Sequence, residues 1–476
     1  MIEFEKAGVA SAAIVAAGFE GDMEHSATVF SMPNLPYVVV PHTFTSRSPE
    51  QVKADVEPLI GDLIKGITTA PPLVPGQLGE AGGLRRAKSE IFHGAHTYDA
   101  WEKMNEVFME RGWGDGFPLV APTPEKVEAA LKAVTKAPLE VLGQLAPGNG
   151  LATVEKIAIN CVMAGCMPEH LPVLVTAVEA MLKTPQSVFP IRTIAQSTGP
   201  HFFILLINGP VVKRLSINSG MCMLGPGKPG RVNTVLGRAL RFIMMNVGHS
   251  YPGNGDMDTI GTPHKYSFCV AENEDASPWT AFHEDRGFRK DQSTVTVLGG
   301  EDVMHVKDYN NQADELLNTW ACAAARPRES QFEARLEFTE RHCFMMISPD
   351  HARIIAEQGY SKRGIREYVA AHSLAPIKWI NSETRNRPDA IKPQWRWTLT
   401  ADQEMLIPVI QDPDDIHMAV MGGPTGKSDF ARLLGQPTIT AEIICAAAAT
   451  GKSDAEEVSA TQKVINPFNC EPEKSC

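Results

Sequence analysis

Two short apolar runs near the N-terminus, Val9 to Ala17 and Pro36 to Pro41, constrain the fold most. Both consist of small and β-branched residues without polar alternation, the pattern of strands covered on both faces. Between them, Glu20 to Phe30 carries a weak helical pattern. After the second run, Ser48-Pro49-Glu50 supplies an N-cap serine, a proline at the first helical position and an acid. A helix therefore starts there and runs to about Ile67. The order β-α-β-α is half of a doubly wound, Rossmann-like unit. Half a sheet leaves an open edge and an uncovered face, which is costly.

The chain of 476 residues is long enough for two or three domains. Ala70 to Lys88 is rich in proline and glycine and reads as a linker. The expected organisation is multi-domain α/β: a partial doubly wound unit at 1–69, a linker at 70–90, a larger mixed α/β domain at 91–330, a C-terminal α/β module at 331–455 and a polar tail at 456–476. Helices are predicted near Tyr98 to Arg111, from Thr123-Pro124-Glu125, across Ala152 to Cys166, from Glu169 to Lys183 and from Asn311 to Ala324. Strands are predicted at Phe202 to Asn208, Tyr266 to Ala271 and Thr294 to Leu298. In the last module, helices begin at Ser348-Pro349-Asp350 and Ser361, and a strand runs from Ile416 to Met421.

A formal charge of −12 argues against nucleic acid, because neutralising phosphates needs clustered Lys and Arg. Nine cysteines, odd in number and irregularly spaced, fit a reducing cytoplasm rather than a disulfide scaffold. The first apolar run follows acidic residues instead of a basic n-region, so it reads as a strand and not a signal peptide. No apolar run approaches the length of a membrane span. The expected location is cytoplasmic.

The strings AGVASAAIVAAGF and MPNLPYVVVPHTFTSRSPEQVKADVEPLI resemble the C-terminal half of the UGSC-motif (seleno)protein family. In that family a Cys- or Sec-Gly-Ser-Cys turn lies shortly upstream of such a segment. Here no cysteine precedes Cys161. The resemblance implies a separate small subunit that completes the N-terminal unit and brings the turn with it. Residues 70 to 325 resemble a domain associated with UGSC-type segments, through WGDGFPLVAPTPEKVEAAL, TVEKIAINCVMAGCMPEHLPVL, INSGMCMLGPG and KYSFCVAENEDASPW. That likeness implies no defined reaction.

Reactive residues crowd into Ile217 to Trp279. Gly225-Pro226-Gly227-Lys228-Pro229-Gly230-Arg231 opens a predicted helix, and such a turn presents backbone N–H groups to an anion, unless it is purely structural. Gly225, Gly227, Lys228, Gly230 and Arg231 are the anion-binding candidates. No dinucleotide site is expected, since the preceding strand is poor, prolines interrupt the turn and no acidic residue follows at the required spacing. Gly422 to Ser428 is one residue short of a phosphate loop, so no ATP site is expected either. Cys161 and Cys166 lie about 140° apart around one helix and read as buried, with Cys166 the more reactive of the two.

Cys222, beside the glycine turn and its two cations, is a candidate nucleophile or redox thiol. Glu272 and Glu274 are two apart and would share a face on a strand, with His264 and Lys265 opening it; paired carboxylates suit acid/base work or a divalent ion. His249, His264, Cys269, Glu272 and His283 are metal-capable, though no spacing matches a zinc signature. The expected function is a small-molecule enzyme subunit of lyase or oxidoreductase type acting on an anionic substrate. The alternatives are a non-catalytic scaffold subunit and a metal-dependent lyase or hydrolase.

Overall fold

The computed structural model describes residues 4–69 (except 6, 7, 30, 31, 33, 45 and 46), 86, 88–325, 342–379 and 393–446. Most of the expected linker and all of the expected polar tail lie outside the described residues.

Strands β1 (Ala13–Ala16) and β2 (Tyr37–Val40) pair in parallel, with Ala13 opposite Tyr37, and α1 (Glu20–Val29) joins them. Helix α2 (Pro49–Val56) starts where the sequence places it. The Ser48 hydroxyl accepts from the Gln51 N–H, and Gln51 Oε1 accepts from the Ser48 N–H at 2.9 Å, a complete capping box. A 3₁₀ turn at Glu57–Leu59 leads into α3 (Ile60–Thr68). Val15, Val38 and Val40 are buried, whereas Ile14 and Val39 remain 41% and 36% exposed. On α3, Ile60, Ile64 and Ile67 form an exposed stripe at helical spacing. The sheet here has two strands, so this unit leaves much of its apolar surface bare.

Next come α4 (Thr97–Glu110), α5 (Pro124–Leu131), the hairpin of β3 (Val141–Leu145) and β4 (Gly150–Thr153), α6 (Val154–Met163), α7 (Leu171–Lys183) and α8 (Ile191–Gln196). Pro124 and Thr123 start α5 as predicted, with Thr123 accepting from Lys126 N–H. The hairpin β3–β4 has no clear sequence signal. Helix α6 ends before Cys166, whose partly buried thiol is pushed well above its ordinary pKa by desolvation.

The main sheet is assembled from β5 (Phe202–Asn208), β8 (Cys269–Ala271), β9 (Thr294–Lys307), β10 (Cys343–Ile347), β13 (Ile416–Val420), β14 (Lys427–Leu433) and β15 (Ala441–Glu442). Its order is β13-β10-β14-β9-β5-β8, with β15 also on β9. The pairs β5–β8 and β10–β13 are parallel and the rest antiparallel. Smaller pieces intervene: α9 (Val211–Arg214), α10 (Arg231–Asn246), the pair β6 (Tyr251–Pro252) and β7 (Gly255–Asp256), α11 (Ala313–Ala325), α12 (Pro349–Glu357), α13 (Lys362–His372), and the pair β11 (Leu374–Pro376) and β12 (Leu406–Pro408). Strand β9 is much longer than the predicted Thr294 to Leu298. It continues through Gly299 and Gly300, where an added Cβ would lie 2.4 Å from Ile194 and from the Phe202 ring respectively. Glycine permits that close packing, beside the register shift between Arg432 and Leu433 on the partner strand.

Both faces of this sheet are apolar, which explains the continuous apolar runs. Leu205, Ile207, Cys269, Val295 and Val297 pack outward in a core that includes α6, α7 and α10. Met345, Ile347, Met418 and Phe430 pack outward with α11, α12 and α13. Phe202, Ile204, Leu206, Val270, Leu298, Phe344 and Ala419 form a second, inner core. The Asn273 N–H, just past β8, donates to the Val420 carbonyl at the end of β13 (2.7 Å). The two edge strands are thus brought together, and the sheet curls around its inner core.

Two sequence expectations change. The strand predicted from Tyr266 begins only at Cys269, because Pro263–Lys265 forms a 3₁₀ turn capped by Thr262. His264 and Lys265 therefore do not open the strand, and Glu272 and Glu274 follow it. The turn from Gly422 leads into β14.

Candidate functional site

The C-terminal ends of the parallel strands β5 and β8 carry Asn208 and Glu272, and Thr294 at the start of β9 lies opposite Asn208. All three are buried. Glu272 Oε2 accepts from Asn208 Nδ2 at 2.5 Å and from the Phe282 N–H at 2.7 Å. Its Oε1 is buried with no hydrogen-bond partner, as are Asn208 Oδ1, His283 Nδ1 and Thr294 Oγ1. Each such atom costs about 1–3 kcal/mol, so a group of four on adjoining residues is not arranged for stability. Glu274 joins the group: its Oε1 accepts from the Gly209 N–H at 2.6 Å and lies 3.8 Å from His283 Nδ1. His283 Nε2 faces the Arg289 carbonyl at 3.2 Å, which places the ring hydrogen of the neutral form there and leaves Nδ1 with a lone pair.

Burial pushes the Glu272 carboxyl up to about 7, with Glu274 adding to the rise; Lys362 and the bonds from Phe282 and Asn208 oppose it. Two carboxylates and an imidazole lone pair face one another here with more acceptors than donors. Such a set holds a mobile proton well near neutrality.

The other sequence candidates lie elsewhere. His264 packs at a tilt against Phe202 and Phe268, with ring centroids 4.7 and 5.3 Å away, and burial holds its pKa below the ordinary value. Phe268 and Glu272 are separated by the length of β8, about 13 Å. Lys265 pairs with Asp256 (2.7 Å) and Asp258 (2.8 Å) in a cavity of about 500 Å³ that also includes Arg241 and Tyr266. Neither residue reaches the Glu272 group.

Gly225, Gly227, Lys228 and Gly230 precede α10 as predicted, and Arg231 is its first residue. Gly230 is required by packing, since a Cβ there would lie 2.2 Å from the Gly225 carbonyl oxygen. Lys228 and Arg231 are exposed, as is Cys222, which has a φ of 54° and whose carbonyl accepts from the Gly225 N–H. Met223 anchors the turn in the inner core. Among the described residues no hydrogen bond or ion pair links Cys222, Lys228 or Arg231 to Glu272 or Glu274. The structure thus brings together Glu272, Glu274 and His283, and leaves Cys222 and the glycine turn on the surface.

Of the metal candidates, Glu272 and His283 adjoin in the group above, and the others lie apart from it. Cys269 is fully buried in the outward core with its thiol pushed far up, and His249 sits at a φ of 59° against Gly148. Among the described residues no three His, Cys, Asp or Glu side chains form a metal-holding group. Asn208 and Thr294 were not singled out from the sequence. Their only local signal is a polar residue closing or opening an apolar strand.

The UGSC family model matches residues 1–69. This N-terminal segment is therefore similar to the UGSC family. No curated protein and no solved structure matches the chain. The UGSC segment touches the rest of the protein through Asp22 on α1, whose Oδ1 accepts from the Gly255 N–H at 2.8 Å. A cavity of about 410 Å³ lies at the ends of its two strands, bounded by Phe19, Asp22, His42 and Phe44. Among the described residues no helix is long and apolar enough to cross a membrane.

Proposed function

We propose that the chain is a subunit of a small-molecule enzyme of lyase or oxidoreductase type, in which Glu272 moves a proton on an anionic substrate. One observation carries this reading: a buried carboxyl with one oxygen held by two donors, the other without a partner, and a pKa near 7. A carboxyl placed that way exchanges a proton near neutral pH at little cost. Glu274 and His283 adjoin it and take up or return the proton. The thiol of the reaction comes from Cys222 or from a partner chain.

The same proposal includes a partner. Ile14 and Val39 on the two-stranded sheet, and Ile60, Ile64 and Ile67 on α3, expose an apolar surface that a small subunit completing the UGSC segment would cover. This surface also favours the second reading, a scaffold subunit whose chemistry resides wholly in the partner. Purification from the native host, with mass spectrometry of associated chains and small molecules, supplies both partner and substrate. Turnover by the complex should then fall at least about 100-fold in Glu272→Gln. Full turnover in that variant leaves the scaffold reading, and a stable monomer with no associated chain removes the partner.

A further inference from the structure

We infer that the cavity of about 500 Å³ bounded by α10 and the segment from Pro252 to Tyr266 binds a small organic monocarboxylate with an apolar body. The carboxylate sits on Arg241, and the body lies against Met245, Pro252, Ile260 and Tyr266. Arg241 and Met245 are four apart on α10 and so share one face of that helix. The loop that completes the wall is fixed in place. Asp258 Oδ1 accepts from the N–H groups of Ile260 (3.2 Å) and Gly261 (3.0 Å), and Thr262 caps the 3₁₀ turn that carries Lys265.

The charges around the cavity decide what it takes. Arg238 holds Asp115 in a fork, at 2.7 and 2.8 Å. Asp256 accepts from Arg241 at 3.0 Å and from Lys265 at 2.7 Å, and Asp258 lies 2.8 Å from Lys265 Nζ. All three carboxylates are therefore committed. Arg241 is not. It donates once, from Nη2, while its Nε and Nη1 meet no acceptor among the described residues and are not sealed from solvent. A guanidinium has two edges of paired N–H groups, so a single bond to Asp256 leaves one edge whole. The Arg241 side chain is only 11% exposed and lines the cavity, so that edge is poorly hydrated and suits a planar carboxylate. Arg238, Arg241 and Lys265 match Asp115, Asp256 and Asp258 charge for charge, which leaves no excess positive charge to hold a dianion. The mouth is apolar: Ile260 is 94% exposed, and the exposed Tyr266 meets Phe117 edge-on with ring centroids 5.4 Å apart. A ligand with an apolar body covers these side chains. This site is separate from the Glu272 group and does not rest on the proton-transfer reading.

Calorimetric titration of the full chain with phenylacetate tests the site. Wild-type protein should bind, and acetate, which lacks the apolar body, should bind at least about tenfold more weakly. Arg241→Gln and Arg241→Lys should each weaken phenylacetate binding about tenfold or more, the second because it keeps the charge and loses the paired donors. Ile260→Ser changes an exposed position, so it keeps the test open where the arginine variants fold poorly, and it should weaken binding about threefold. Absence of binding at about 10 mM phenylacetate, or unchanged affinity in Arg241→Lys or Ile260→Ser, overturns the site. Binding of phenethylamine as tightly as phenylacetate overturns the assignment of an anion. Glu272→Gln should bind phenylacetate as wild type does while losing turnover, so failure of this site and failure of the enzyme reading are told apart.

Discussion

Glu272 couples the stability of the fold to pH. Its carboxyl titrates at 4.5 when unperturbed and at about 7 in the folded chain. Between those values the folded chain holds a proton that the unfolded chain has released. The associated stability is fully present below the lower value, declines as pH rises through about 7, and then levels off, a change of about 3 kcal/mol. Urea unfolding followed from about pH 5 to about pH 8 should show this decline, and Glu272→Gln should flatten it. An identical slope in the variant would mean the carboxyl does not titrate there. The cysteines give a second residue-scale test. Cys222 is exposed, while Cys161, Cys269 and Cys343 are buried, the last two with thiols pushed far up. A thiol reagent applied to the native protein should label Cys222 within minutes and spare those three until denaturant is added. Labelling of Cys269 at the rate of Cys222 contradicts the packing. At this scale much was legible in the sequence, because Glu272 and Glu274 share a spacing with obvious chemical use. Lys362 was not, since nothing local marks a lysine on an amphipathic helix as a charge acting on Glu272.

Among the secondary elements, the turn between β5 and α9 sets the position of Glu274. Gly209 has a φ of 83°, and a Cβ there would lie 2.1 Å from the Gln292 carbonyl oxygen. Gly287 has nearly the same conformation, φ 86°, but open space around it. Gly209→Ala should therefore destabilise the protein by about 3 kcal/mol or more, through clash as well as torsion, and Gly287→Ala by about 1 kcal/mol, through torsion alone. Equal losses in urea unfolding would show that the close approach at Gly209 is unimportant. The β-α-β-α order and most helix starts were legible because caps and apolar periodicity are local properties. Strand neighbours were not. Asn208 meets Thr294 only because β5 pairs antiparallel with β9, a long-range fact that a run such as Phe202 to Asn208 does not encode. The start of β8 was misplaced for a related reason: Pro263 and the Thr262 cap turn the chain before Cys269.

For the molecule as a whole, the curled sheet decides what can fold separately. Strand β9 pairs with β5 through its first half and with β14 through its second, and β14 carries β10 and β13. The inner core mixes Phe202, Ile204 and Leu298 with Phe344, Met346, Ala419 and Leu433. Described residues up to 325 therefore contribute one part of a shared core, and those from 342 on contribute the rest. A fragment of residues 91–330 would expose the inner faces of β5, β8 and β9 together with the unpaired second half of β9, a large apolar surface with an open edge. That fragment should be insoluble or molten, while the full chain should show one cooperative transition spanning both segments when followed by tryptophan fluorescence and by backbone circular dichroism. The UGSC segment is the exception this architecture allows. It has its own sheet, and its apolar faces at Ile14, Val39 and along α3 do not enter the inner core. Removing residues 1–69 should leave the main transition within a few degrees of its original position and abolish capture of a partner chain. Loss of the whole fold on that deletion would instead make the UGSC segment a structural part of the main core.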